Sequence, residues 1–367
     1  MEGWREGTGP TQPAIIDNKL YGRGSSDDGY VPFAVLLSIK NALAQGQELP
    51  RLCLVLETEE ESGSHDLVYL MDKNSDKIGK PDVCICMDSG CLNYDSIWLT
   101  STLRGVLNFT LTVEIAKQGS HSGLAGGILP DTWRIINMLL SRLEDQETGK
   151  VIDDFHVEIS PYFQEEAKTV AAIQGKGLYD LHLLDGVQVI DMENLPELYL
   201  NGTWRPSLTV TGVDGLPPTK SAGNVIRSKT TAKVSIRLPP TMKAEKAIEI
   251  AKAKLLVDAP YGAHVTIGNW HAGSGWCAGE LPEWLRTSLD RSSEEVFGKG
   301  NICKSYGIGG SIPFLATLGE KFPETQILAV GVGSTESNAH NPNEFIVLPY
   351  ARNLIKSLSH VFVDCGK

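Results

Sequence analysis

The stretch Val83-Cys84-Ile85-Cys86-Met87-Asp88 sets the fold class. Its apolar run is too short for a helix and reads as one buried strand that ends on a carboxylate. A second run, Leu52-Cys53-Leu54-Val55-Leu56, reads as another buried strand and leads into Glu59-Glu60-Glu61-Ser62-Gly63-Ser64. Upstream, Gly29 to Gln45 carries Val31, Ala34, Val35, Leu36, Ile39, Ala42 and Leu43 at helical spacing. Strand and helix in alternation predict an α/β layer with a mainly parallel sheet.

After Thr102-Leu103-Arg104-Gly105 the pattern lengthens. Alternating strands are expected at Leu107 to Ile115, Ser207 to Val213, Thr230 to Leu238 and His264 to Trp270, with helices at Asp131 to Leu143 and Lys243 to Leu256. The order βαββαβ implies an α+β domain, two helices on one face of an antiparallel sheet, inserted over residues 104–272. The flanking segments, 1–103 and 273–367, are then halves of one discontinuous domain. The second half carries a helix near Pro282 to Phe297, a strand at Gln326 to Val330 and a last helix at Leu348 to Phe362. Thr148 to Asn201 shows no regular pattern.

Composition agrees with two domains: 367 residues, 41% hydrophobic and 21% charged, can bury a large core. The 33 basic and 45 acidic residues leave a net charge of −12, which argues against nucleic acid or an anionic membrane as partner. No run approaches the length of a membrane span and Met1-Glu2-Gly3-Trp4-Arg5 lacks the apolar core of a signal peptide, so a cytoplasmic location is expected. The 7 cysteines are odd in number. Cys84 and Cys86 alternate along one strand, which favours structural, reduced thiols over metal ligands.

The chemistry resides in the acidic clusters. Asp27-Asp28, Glu59-Glu60-Glu61 and Asp88 each follow a predicted strand, and His340-Asn341-Pro342-Asn343-Glu344 supplies an imidazole far downstream. Carboxylate oxygens with one imidazole nitrogen suit two divalent cations, zinc or manganese, and a shared carboxylate can bridge them. Taken singly, each cluster has a plainer reading. Three glutamates can open a solvated helix, Asp28 can cap the helix near Gly29, and Asp88 or His340 can sit in a turn. Their joint occurrence points to a metal-dependent hydrolase.

The motifs Tyr21-Gly22-Arg23-Gly24-x-x-Asp27-Asp28, Glu60-Glu61-x-Gly63-Ser64, Asp88, Gly119-x-His121-Ser122-Gly123, Asn224-Val225-Ile226, Ser235-Ile236-Arg237-Leu238 and His340-x-Pro342-Asn343-Glu344 occur in one order. Together they resemble the aminoacylase and carnosinase family of dinuclear zinc peptidases. Gly126-Gly127 and Arg205-Pro206-Ser207-Leu208-Thr209-Val210 point to its cytosolic dipeptidase and carnosinase branch. The resemblance implies a zinc-exopeptidase-like three-layer catalytic domain with an inserted lid and dimerisation domain.

It implies roles as well. Asp27 is expected to bridge two metal ions, Glu61 and His340 to complete one site, and Asp88 to serve the other. Glu60 is expected to be the general base that takes a proton from the attacking water. His121 would reach the partner subunit's active site and help hold the oxyanion, which makes a homodimer the working unit. Arg237, Asn224, His271 and Ser311 would bind the substrate's terminal carboxylate and backbone, Arg237 through its planar fork. Glu59 is expected to be a surface residue, and His65, His156, His182, His264 and His360 are expected to be structural. The implied reaction is hydrolysis of a dipeptide or short peptide with a free carboxylate. An N-acyl amino acid deacylase is the alternative, or a truncated, catalytically inactive relative.

One departure stands out. Relatives place a His-x-Asp motif ahead of these elements, whereas this sequence has no histidine before His65. The site of Asp27, Glu61 and His340 would keep three ligands, the other would keep two carboxylates and bind weakly, and a sheet edge and part of the core would lie open. Gly29-Tyr30, where relatives carry Lys-Gly, removes no ligand.

Overall fold

In the computed structural model, Val83–Gly90 is a strand, and Gln326–Gly333 pairs with it in parallel, Gln326 opposite Val83 and Ala329 opposite Cys86. The structure describes residues 3–179, 181, 183–310 and 313–367. The chain divides into two compact units, one of Met1–Ser101, Ala278–Tyr306 and Thr317–Lys367, the other of Thr102–Cys277 and Gly307–Ala316.

In the first unit, Trp98–Leu103 joins Gln326–Gly333 antiparallel through Thr100 and Ala329, so the sheet is mixed. The parallel pair closes tightly at its carboxyl end. A Cβ on Gly331 would lie 1.7 Å from the Ser89 carbonyl oxygen, so only glycine fits there. Helices Val31–Ala44, Glu283–Phe297 and Leu348–Asp364 pack together, with Leu285, Leu289, Leu354, Leu358 and Val361 buried. The Ser38 hydroxyl donates to the Ile355 carbonyl at 2.9 Å and fixes the first helix against the last.

Ala14–Ile16, Lys19–Tyr21 and Phe345–Val347 form a small antiparallel sheet. Tyr21 pairs with Phe345, so the loop leaving one strand meets the loop entering the other. Residues 22–28 and 338–344 are thereby neighbours.

The expected strand at Leu52–Leu56 does not form. Leu52, Leu54, Val55 and Leu56 are 41%, 43%, 48% and 57% exposed. An apolar run becomes a buried strand only when a neighbour supplies ladder partners and a layer covers it. No strand among the described residues pairs with this one. Phe33, Leu36 and Leu37 on the helix Val31–Ala44 are exposed as well.

In the second unit, four antiparallel strands run in the order His264–Gly273, Gly105–Glu114, Lys229–Leu238, Ser207–Asp214. Period-2 alternation sorts their side chains: Leu107, Phe109, Leu111, Val113, Ala232, Val234 and Ile236 face one way and are fully buried. Helices Thr132–Leu140 and Ala244–Leu255 cover that face with Ile135, Ile136, Leu139, Ala247, Ala251 and Leu255. Each buried Val, Leu or Ile side chain here contributes about 1.5–3 kcal/mol by leaving water, and Phe109→Ala would cost about 3–5 kcal/mol. The Asp131 side chain caps the first helix by accepting from the Arg134 N–H at 2.9 Å.

The stretch without a sequence pattern forms helices Pro161–Gln174 and Leu195–Thr203, which meet through the Phe163 and Trp204 rings, 4.7 Å apart. No helix among the described residues is long and apolar enough to cross a membrane.

Candidate metal centre

The site is built by a buried carboxylate. Glu344 has no solvent exposure and gathers the loop Gly24 to Asp27 onto itself. Its Oε2 accepts the Gly24 N–H at 2.9 Å, and its Oε1 accepts the Ser26 and Asp27 N–H groups at 3.0 and 3.2 Å and the Ser26 hydroxyl at 3.3 Å. Arg23 pairs with the same carboxylate at 2.8 Å and donates to the Asn341 carbonyl, also at 2.8 Å. Three backbone donors and a guanidinium therefore fix the segment that ends in Asp27. The Asp27–Asp28 peptide bond is cis.

Opposite this loop, His340 lies in a turn closed by the Asn341 N–H to the Asn338 carbonyl, 3.0 Å. Its φ of 62° is left-handed, a conformation uncommon for a residue other than glycine. Its Nε2 stands 2.8 Å from Glu61 Oε1 and 3.0 Å from Asp27 Oδ2. The ligand atoms of Asp27, Glu61 and His340 all lie within 4.8 Å of one another. Glu61 reaches them from a short 3-10 turn, Glu60–Ser62, ended by Gly63 at φ 102°.

Asp88 lies within the strand Val83–Gly90, near its end, and its carboxyl feels the charges of Glu60, Asp27 and Asp28. The Tyr30 hydroxyl donates to the Met87 carbonyl at 2.8 Å, tying the head of the first helix to that strand end. Of the residues singled out in the sequence, the structure brings Asp27, Glu61 and His340 together, with Glu60 next to Glu61 in the chain.

Crowding sets the electrostatics. Burial, then the Glu60, Asp27 and Asp28 charges, push Asp88 up to about 7. Burial and then Glu61 raise Asp27, and burial followed by Glu61 and Asp27 raises Glu60. Burial opposes a charged His340, but the Glu61 and Asp27 carboxylates outweigh it and raise its pKa. Such a cluster of mutually repelling carboxylates is relieved by a cation. Two carboxylates and an imidazole are the donor types that zinc or manganese takes. The observed contacts near 3 Å are close to the ~3.3 Å edges of a tetrahedron with ~2.0–2.1 Å bonds.

The other candidates belong to the second unit. His121 pairs with Val225 in a two-stranded ladder, its Nδ1 accepts the Gly123 N–H at 3.1 Å, and the Ser122 N–H donates to the Asn224 carbonyl at 2.9 Å. His121 and Asn224 are thus adjacent and exposed. Arg237 stands opposite Ser207 and Val106, and His271 opposite Asn108, on the sheet face away from the covering helices. Ser311 lies outside the described residues.

Glu344 is the residue whose role the sequence left unread, although its motif was in view. The signal available was the pairing of an arginine in one loop motif with a glutamate closing the other.

The match to the family model described as Peptidase family M20/M25/M40 spans residues 1–364. The chain belongs to that peptidase family. Among curated M20 relatives, the mouse Beta-Ala-His dipeptidase is 30% identical over 362 residues, covering 94% of this chain and 70% of that protein. The Schizosaccharomyces pombe Cys-Gly metallodipeptidase is 27% identical over 338 residues, 90% of this chain and 70% of that protein. Among solved structures, the Saccharomyces cerevisiae di-peptidase Dug1p is 25% identical with a TM-score of 0.69, over 100% of this chain and 76% of that one. Human carnosine dipeptidase 1, at 22% identity and a TM-score of 0.71, shares the fold over 100% of this chain and 76% of its own. The sequence-derived reading as a metal-dependent peptidase of α/β fold is borne out by this membership.

Proposed function

We propose that this chain hydrolyses dipeptides or short peptides with a free terminal carboxylate, using divalent metal. The observation that carries this reading is the convergence of Asp27, Glu61 and His340, with Glu60 beside them in sequence. Asp27, Glu61 and His340 would hold one ion, and Asp27 with Asp88 a second, zinc first and manganese next by donor chemistry. Bound there, the metal would acidify water and polarise the amide carbonyl.

The residues do the rest. Glu60 takes the proton from the attacking water, a task helped by the raised pKa that its neighbours impose. It then delivers that proton to the departing amine. Glu344 and Arg23 hold the Asp27 loop in place, so that the carboxylates need no rearrangement during reaction. Arg237 grips the substrate carboxylate, Asn224, His271 and Ser311 contact its backbone, and His121 holds the oxyanion in a homodimer joined through the second unit. Seven free cysteines suit a reducing, cytoplasmic setting.

Parallel panels of dipeptides and N-acetyl amino acids, assayed with zinc and with manganese, test the substrate class. Turnover of dipeptides supports the proposal. Turnover confined to N-acetyl amino acids would replace it with a deacylase.

A further inference from the structure

Arg104 is a largely buried cation to which the described residues offer no negative partner. Its Nε donates to the Gly309 carbonyl at 3.1 Å, and its Nη1 donates to the Asn201 and Arg205 carbonyls, each at 3.3 Å, and to the Ser207 hydroxyl at 3.4 Å. All four acceptors are neutral. No hydrogen bond to a described residue uses Nη2. Glycine at 309 is what lets the chain lie against this guanidinium: a Cβ there would sit 3.0 Å from Nη2 and 2.5 Å from the Gly202 carbonyl oxygen.

A second cation stands close by. Ser207, which touches Arg104, is directly opposite Arg237 in the ladder. Arg237 likewise has no carboxylate partner among the described residues. Burial first, and then the Arg237 charge, lower Arg104 to about 10, so the Arg104 side chain stays cationic at neutral pH. Two guanidinium groups held in a partly dry place without a counter-ion repel each other. An anion between them removes that repulsion, and planar forks suit the two oxygens of a carboxylate.

We propose that Arg104 is a substrate-binding residue which, with Arg237, forms a two-arginine site for a carboxylate, the terminal carboxylate of the peptide. The identity of the anion rests on the dipeptidase reading. The existence of a carboxylate site does not.

The test is calorimetric titration of the full, metal-stripped chain with L-leucine and with L-leucinamide, which differ at the carboxylate. A hydrogen-bonded charge pair is expected to favour leucine by roughly 10- to 100-fold. Arg104→Met should abolish the preference and Arg104→Lys should keep part of it. With metal restored, Arg104→Met should raise KM for a dipeptide by a similar factor, leave kcat within about threefold, and leave the dipeptide amide little affected. Equal binding of leucine and leucinamide by the unmodified chain, no binding of either, or a preference that survives Arg104→Met would overturn the proposal. Should Arg104→Met not fold, the unmodified chain and Arg104→Lys decide alone. A carboxylate preference in a metal-restored chain that hydrolyses no dipeptide would leave this site standing and sink the dipeptidase reading.

Discussion

The buried Glu344 carboxylate accepts the backbone N–H of Asp27 at 3.2 Å. A residue outside the cluster of Asp27, Glu61 and His340 thereby fixes the loop that ends in Asp27, a proposed metal ligand. Replacing it with glutamine keeps its volume and removes the charge that gathers three N–H groups and Arg23. Arg23 is 41% exposed, so its ion pair contributes at most about 1 kcal/mol. The unsatisfied donors dominate, and Glu344→Gln should cost about 1–3 kcal/mol of stability. Zinc affinity should fall roughly 10- to 100-fold, as for other residues that orient ligands. Thermal melting and competitive zinc titration read both, and an unchanged zinc affinity would contradict the supporting role.

The acidic centre should make the metal-stripped chain more stable at mildly acid pH. Asp27, Asp28 and Glu60 are raised, and Asp88 reaches about 7. A carboxyl raised by folding adds stability below its unfolded pKa of about 4, and that contribution is lost as pH climbs through the folded value. In a chelator the melting temperature should therefore be higher at pH 5.5 than at pH 8, and saturating zinc should raise it most at pH 8. A higher melting temperature at pH 8 in chelator would count against the crowded centre.

The cysteines provide a check on the core. Burial pushes Cys84 up to about 11 and Cys86, Cys91 and Cys303 up to about 12, so they remain unreactive thiols at neutral pH. Cys53 is exposed. Brief alkylation of the native chain at pH 7.5 followed by mass spectrometry should label Cys53 first, with the four others labelled only in denaturant. Early labelling of Cys86 would place its strand elsewhere than in the sheet.

Leu54, Val55 and Leu56, with Phe33 and Leu36 on the first helix, present exposed apolar surface in the first unit. Surface of this kind favours association. Leu54→Lys with Leu36→Gln should increase the monomeric fraction in sedimentation, and zinc binding should be retained. Loss of zinc binding would mean that these side chains support the centre.

What the sequence disclosed depends on where each residue finds its partners. The strands around Phe109 and Val234 were legible because alternation along one strand already states which face is buried, and the helix at Thr132–Leu140 carried its own Asp131 cap. Leu52–Leu56 has the composition of a buried strand, yet burial belongs to the neighbours and not to the run itself. Helices Pro161–Gln174 and Leu195–Thr203 escaped notice because their cohesion comes from the contact of Phe163 with Trp204. At the site, residue types and order were enough to single out Asp27, Glu61 and His340, whose ligand atoms lie within 4.8 Å of one another. The role of Glu344 was hidden because the N–H groups it accepts lie 317 to 320 positions away, in a loop whose shape no motif states.

The most direct test of the central claim is a side-by-side measurement of bound metal and dipeptide turnover in the unmodified chain, Glu60→Gln and His340→Ala. The account predicts zinc with turnover in the first, zinc with turnover lowered at least ~10²-fold in the second, and loss of both in the third. Turnover in Glu60→Gln equal to that of the unmodified chain, or undiminished zinc in His340→Ala, would contradict it.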